Sequence, residues 1–309
     1  MIRRFALLVA FVFALSCTMG DNPIRTFHLS ASASPSAAAF PASVTDFQGR
    51  SVAITKRPER IISIGPSNTE FLFALGAGDR VVGDDDFSDE PAAAKTKEHV
   101  GGVKVNLEKV VSLKPDLIVT VKFSDGTIEA LAQSAAAVLV VDPQGAADVP
   151  RSAALIGQAI GADGAKLASG IQKQLDAVKA KTDAAPKLKV FHEVDASDPA
   201  KIYTVGPGSF VNDLITLAGG TNVFASAKTA YPTVSGEEII RSDPDVIVLG
   251  DALYGTSIES ITSRPGWAAL AAVKNRRVYT GLTLFGRPGP RLGEAAQEYA
   301  KLVHPELFR

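Results

Sequence analysis

Ser67 stands where a short apolar strand gives way to a helix, the place from which a nucleophilic hydroxyl attacks in many hydrolases. Such a hydroxyl needs a base. None of the four histidines sits in a phrase that marks it as one. No G-x-S-x-G elbow, H-E-x-x-H helix, Walker A loop or paired C-x-x-C occurs, so the common hydrolytic and metal-dependent chemistries have no residues to run on. Asp84, Asp85, Asp86, Asp89 and Glu90 crowd seven positions, but the run lacks the central glycine and distal glutamate of a calcium loop. It reads as a solvated loop at the mouth of a cleft. Two further acids, Glu108 and Glu237, each open a helix, where the helix dipole favours a carboxylate. For one glutamate that reading suffices; for a repeated pair it does not.

The pair belongs to a repeat. Residues 106–119, NLEKVVSLKPDLIV, read as a short helix, a break and a buried strand. Val110, Val111 and Leu113 give the helix its apolar face, and Pro115 disfavours helical geometry at Lys114. The apolar run 117–121 does not alternate, as expected of a strand covered on both faces. Residues 235–248, SGEEIIRSDPDVIV, align with it without a gap at an offset of 129, with Glu108 over Glu237, Pro115 over Pro244 and Asp116 over Asp245. A second phrase, 60–83, is echoed at 201–225. Each has a strand, a Gly-Pro turn (Gly65-Pro66, Gly206-Pro207), an apolar helix and a glycine-rich exit. Two matches in the same order imply two lobes of like construction.

Length agrees, since 309 residues suit two domains better than one. Thirty-two basic residues against 33 acidic ones leave no basic face for nucleic acid. The N-terminus differs from the rest. Arg3 and Arg4 precede an apolar run over 5–15, too short for a permanent membrane span and typical of an export signal. The single cysteine, Cys17, excludes an internal disulfide. Residues 14–17 resemble a bacterial lipobox, which would make Cys17 the lipidated first residue, although Leu15 lies two places before the cysteine where the pattern prefers three. Cleavage further on would instead release a soluble protein. Residues 1–17 therefore read as signal peptide and lipobox, and the Ser-, Ala- and Pro-rich stretch 18–43 as a flexible tether.

Residues 44–54 look like a hairpin turning at Gln48-Gly49. Within an N-terminal α/β lobe, 44–147, strands are expected at 61–64, 81–82, 117–121 and 138–141, with a helix over 127–137. Alternation of this kind implies a mostly parallel sheet, and a ligand site beyond the strands' carboxyl ends at 65–68, 84–89, 122–126 and 142–144. Residues 148–185 form the join: a first helix punctuated by Gly157 and Gly161, then an uninterrupted one over 162–183. Ala168, Ile171, Leu175 and Val178 stripe one face of the latter, whose length of about 33 Å matches a small lobe. A C-terminal α/β lobe, 186–309, opens with a strand at 188–194 and continues with strands at 246–249 and 278–280.

The phrases RIISIGPSNTEFLFALGAGDRVVG, NLEKVVSLKPDLIV, YTVGPGSFVNDLITLAGGTNV, VSGEEIIRSDPDVIVLG and RPGWAALAAVKNRRVY resemble those of ABC-importer substrate-binding proteins for metal chelates: cobalamin, ferric siderophores and haem. That resemblance implies a class III periplasmic binding fold, two Rossmann-like lobes with mostly parallel central sheets joined by one long helix, and a ligand between them. It implies an exported, non-enzymatic monomer in the periplasm or on the outer membrane face. No cofactor of its own is implied, since the ligand is itself the metal chelate. The partners implied are an ABC permease dimer with its ATPase subunits, contacted through Glu108 and Glu237, because charge-assisted carboxylate–arginine pairs at equivalent sites can seat a two-fold permease.

For the ligand, position at the strand ends nominates Ser67, Asn68, Phe87, Phe123, Tyr231, Phe285 and Arg287. The phrase FHEVD at 191–195 is closest to the cobalamin-binding branch, and Tyr231 falls where some cobalamin binders carry tryptophan. The other cleft tryptophans of that branch have no counterpart, for Trp267 is the only one. A ferric siderophore is the alternative and haem the third reading, which requires an axial His or Tyr facing the cleft. Neither His99 nor His192 stands in a context that demands that role.

Overall fold

Asp46 opens a tight turn between two short strands at the start of the described chain, residues 39–309 of the computed structural model. Its buried carboxylate accepts the N–H groups of Gln48 and Arg50 at 2.9 Å each and pairs with the Arg50 guanidinium at 2.7 Å. The strands are β1 (Ala42–Thr45) and β2 (Ser51–Ile54), paired antiparallel. Ala42 already pairs with Ile54, so the tether expected through residue 43 stops short of it. The leader, Cys17 and the tether up to residue 38 lie outside the described residues.

The N-terminal lobe follows: β3 (Ile61–Ser63), α1 (Pro66–Ala74), β4 (Val81–Asp84), β5 (Glu98–His99), α2 (Leu107–Ser112), β6 (Leu117–Thr120), α3 (Thr127–Ala132) and β7 (Ala137–Val140). Its sheet runs β5-β4-β3-β6-β7 and is parallel throughout. Every residue of β6 is buried, the outcome of helices on both faces. The two-residue strand β5 carries too little pattern to be legible in sequence.

Next come two helices, α4 (Asp148–Ile160) and α5 (Gly164–Thr182). α4 packs on β1 and α1. The C-terminal lobe comprises β8 (Leu188–Asp195), β9 (Ile202–Thr204), α6 (Phe210–Leu217), β10 (Gly220–Asn222), β11 (Thr233–Val234), α7 (Gly236–Ser242), β12 (Val246–Leu249), α8 (Ile258–Ser263), α9 (Ala271–Lys274), β13 (Val278–Thr280) and α10 (Leu292–Val303). α5 packs on α6 and α10 and buries Ile171, Leu175, Val178 and Thr182. The join is thus a pair of helices, one on each lobe. Where they cross, glycine is required: a Cβ on Gly164 would lie 2.2 Å from the Ala153 carbonyl oxygen, and one on Gly157 2.4 Å from the Gly164 Cα.

The second sheet runs β11-β9-β8-β12-β13, with β10 also on β8. Here the repeat is looser than the phrases imply. β8 pairs in parallel with β10 and β12, as β3 does with β4 and β6, whereas β9 is antiparallel to β8. β9, which carries the echoed phrase, is therefore an inserted strand, and β8 holds the place of β3. The eight-residue length of β8 allows this, since it meets β10 at residues 188–190 and β9 at 193 and 195. The other phrase repeats faithfully. Lys114 and Asp243 both leave their helices in the left-handed region, with φ of 47° and 44°. Asp116 then accepts the backbone N–H groups of Glu59 and Arg60 just before β3, and Asp245 accepts that of Lys189 at the start of β8.

One apolar core continues through both lobes, from Ile61, Phe71 and Leu139 through Ile156 and Leu175 to Val190, Leu214 and Tyr299. Smaller clusters around Ile118 and around Trp267 complete the two lobes. Each large side chain buried there contributes roughly 1.5–3 kcal/mol, so the lobes share stability and not merely a linker. Among the described residues no helix is long and apolar enough to cross a membrane.

Candidate functional site

The carboxyl ends of β3, β4, β8, β12 and β13 converge on a cleft of about 450 Å³ between the lobes. Ser67 and Phe87 come from the N-terminal lobe; His192, Tyr231, Phe285 and Arg287 come from the C-terminal one.

Ser67 is positioned by a turn that only glycine fits. Gly65 has φ 106°, and a Cβ there would meet the Val121 side chain at 2.7 Å. Its N–H donates to the carboxylate of Asp85, and Pro66 then starts α1 with a preset φ. The other carboxylate oxygen of Asp85 accepts the Phe87 N–H at 2.9 Å, which fixes the rim. The acidic run is therefore not the solvated loop expected from its charge. Asp84 and Asp85 are buried at the end of β4, where neighbouring groups offer partners. Asp84 Oδ1 lies 3.0 Å from His99 Nδ1, and burial, opposed by His99, pushes its carboxyl up to about 6. Only Asp86 and Glu90 stand fully in solvent.

Of the nominated ligand residues, Ser67, Phe87, Tyr231, Phe285 and Arg287 line the cleft; Asn68 and Phe123 do not. Asn68 is buried, and its amide donates to the carbonyls of Ile64 (3.1 Å) and Val141 (3.2 Å), tying α1 to the ends of β3 and β7. Phe123 packs half-buried against the N-terminal lobe's core. Phe285 is a floor residue, 2% exposed, with its ring 4.9 Å from that of Tyr299.

His192, from the phrase FHEVD, joins the lining, as do Tyr254 and Leu282, which no motif announced. His192 is buried, stacks on Tyr299 and lies with Nδ1 3.1 Å from the Tyr299 hydroxyl. Burial pushes its imidazole down to about 4, so it is neutral at pH 7. Tyr254, Tyr231 and Phe87 form an aromatic rim, 90%, 53% and 53% exposed. For Tyr254 and Leu282 the available hint was position after a strand end, a signal shared with many loop residues.

Among the described residues Arg287 is the one charged side chain of the lining, and its charge is spent. It pairs with Glu70 at 3.2 Å and with Asp89 at 2.6 Å, both from the N-terminal lobe. Arg291 makes a two-toothed contact with the same Glu70, Nε to Oε2 at 2.9 Å and Nη2 to Oε1 at 3.0 Å. Among the described residues no three His, Cys, Asp or Glu side chains gather as a metal site.

Glu108 and Glu237 lie away from the cleft, exposed in the first turns of α2 and α7. Asn106 caps α2 by accepting the Lys109 N–H, and Ser235 caps α7 in a reciprocal pair with Glu238. With capping done by neighbours, both glutamates are left without an ion pair among the described residues.

Residues 61–281 match the family described as periplasmic binding protein. The chain belongs to this periplasmic binding protein family. It is 36% identical to the ABC transporter substrate-binding lipoprotein YvrC of Bacillus subtilis (strain 168), over 98% of this chain and 97% of that one. It is 31% identical to the vitamin B12-binding protein of Vibrio vulnificus (strain CMCP6), over 78% and 89%. The crystal structure of the periplasmic vitamin B12 binding protein BtuF of Vibrio cholerae superposes with a TM-score of 0.69 at 26% identity, covering 82% of this chain and 99% of that one. The fold is that of class III periplasmic binding proteins. As a member of the family, the chain is the extracytoplasmic substrate-binding component of an ABC transporter; it binds a small solute, works with a permease and is not an enzyme.

Proposed function

We propose that this periplasmic binding protein captures a corrinoid, cobalamin in the first instance, and delivers it to its permease. The observation that carries this reading is the charge state of the cleft. Its single lining cation, Arg287, is neutralised by Glu70 and Asp89, and His192 is uncharged. Haem propionates and ferric catecholate or carboxylate siderophores bring negative charge, and a buried charge without a partner is costly. A neutral corrin face with amide arms suits an aromatic rim and uncharged floor. Partial burial also raises the Tyr231 phenol, which disfavours the phenolate that would ligate ferric iron. The similarity to vitamin B12-binding proteins supports the same ligand.

In this reading Ser67, Phe87, Tyr231, Phe285 and Arg287 serve the ligand, with Asn68 and Phe123 bracing the scaffold behind it. Glu108 and Glu237 dock the two lobes on arginines of the permease dimer. Cys17 carries the lipid that holds a monomer at the membrane's outer face, in keeping with the lipoprotein relative. Calorimetry of the mature protein with cyanocobalamin, a panel of ferric siderophores and haem tests the assignment. One-to-one binding of cyanocobalamin is expected. Silence with cyanocobalamin and heat with a siderophore or haem would transfer the assignment to that ligand.

A further inference from the structure

Beside the cleft lies a second cavity of about 640 Å³, wholly within the C-terminal lobe, which shares Val194 and Tyr254 with it. Its wall includes Asp195, Asp251, Thr256 and Arg264. Asp251 follows β12 and Gly250 and is 4% exposed. Its Oδ2 accepts the Thr256 hydroxyl at 2.8 Å and the Ala196 N–H at 3.3 Å. Its Oδ1 is buried with no donor among the described residues. A buried carboxyl oxygen left so is expensive unless a partner arrives.

The cavity's charge says what kind of partner. Arg264 is committed to buried Glu193 through both nitrogens and stacks over Trp267 at 4.6 Å, so it does not neutralise the wall. Asp195, at the cavity edge, accepts the Ser197 N–H at 2.8 Å, and that bond holds its carboxyl below the usual range and ionised. Two acidic side chains thus face a space that has no free cation among the described residues. An acceptor-rich, anionic annex selects N–H donors and repels carboxylates.

We infer that this annex, with Asp251 at its base, receives a primary-amide arm of the ligand held in the adjoining cleft. The inference rests on the corrinoid reading, because a corrin ring bears several peripheral amides that can reach past its edge. The annex sets specificity: it distinguishes an amide arm from the same arm hydrolysed to a carboxylate, at one position of the ring.

The test is calorimetry of the full-length mature protein with cyanocobalamin and with its separated monocarboxylate isomers, each lacking one amide. Wild type is expected to bind one isomer about tenfold more weakly than the parent, since a donor is lost and like charges meet. Asp251→Asn is expected to narrow that ratio to about threefold or less. Asp195→Asn, at a half-buried position on the cavity edge, narrows it in the same direction and serves if the buried substitution does not fold. Equal affinity for all isomers, or an unchanged ratio in the folded variants, overturns the annex while leaving the cleft assignment standing. Failure of wild type to bind any corrinoid overturns the cleft assignment and the annex with it.

Discussion

Arg291, at the start of α10, grips Glu70 of α1 through Nε and Nη2 at 2.9 and 3.0 Å, joining residues 221 positions apart in the chain. Donating to the Glu70 carboxylate also raises the Arg291 pKa, against the lowering effect of burial. Glu70 is 5% exposed and shares a second partner, Arg287, at the cleft wall. A single buried carboxylate therefore clasps the two lobes and, together with Asp89, pairs the charge of Arg287.

Replacing Glu70 by Gln removes one charge and leaves two arginines under-compensated. Loss of a buried pair's partner costs about 3 kcal/mol, to be read as a lower urea midpoint at unchanged slope. Arg287, left with Asp89 alone, should also shift selectivity, with anionic ferric siderophores gaining on cyanocobalamin. Unchanged stability would show that the clasp contributes nothing to the fold.

Acid should weaken the fold through His192. In the folded protein it titrates near 4, against an ordinary 6.5, so the unfolded chain takes up the proton first as pH falls. The stabilisation is complete above pH 6.5 and is lost as pH drops through 4, a total of about 3 kcal/mol. Asp84 acts in the opposite sense, because its raised value, about 6 against 3.8, favours the protonated fold as pH falls from 6. His192→Gln isolates the first effect: the stability gap between wild type and variant at pH 7 should shrink by pH 4. A constant gap would remove His192 from the acid response.

Gly164→Ala should cost about 2 kcal/mol by forcing α4 and α5 apart, since the new methyl would lie 2.2 Å from the Ala153 oxygen. Gly170, in the same helix with open space where a Cβ would go, is the control; Gly170→Ala should be neutral or stabilising. Equal effects at both sites would mean that helix propensity, not crossing distance, decides.

Glu108→Ala with Glu237→Ala should leave calorimetric affinity for cyanocobalamin unchanged and abolish uptake into cells. Neither side chain lines the cleft, so a loss of binding in solution would show that both act on the ligand.

Cys17→Ala should move the protein from the membrane fraction to the soluble one without altering ligand affinity. Retention in the membrane would overturn the lipid anchor.

Much of the architecture was legible because it rests on local signals. The Lys-Pro-Asp and Asp-Pro-Asp breaks at 114–116 and 243–245 announce a helix stop and a buried strand, and both occur as read. Strands β12 and β13 fall on the expected residues; for β12 the reason is that an unalternating apolar run has few other uses. The strand β9 was expected from the echoed phrase, but its inserted, antiparallel place in the sheet was not legible. A parallel and an antiparallel strand have the same local pattern, and only the edge offered by a long β8 distinguishes them.

The site divides in the same way. Composition, leader, repeat and family phrases sufficed to read an exported two-lobed binder, because each depends on residue type and spacing along one chain. Which of Ser67, Asn68 and Phe87 faces the ligand depends on where the Gly65 turn aims α1, and that is set by a carboxylate from another strand. The neutral cleft depends on Glu70 meeting Arg287 and Arg291 across more than two hundred residues. Ion pairing of that separation leaves no trace in local pattern; it exists only once both lobes have folded against each other.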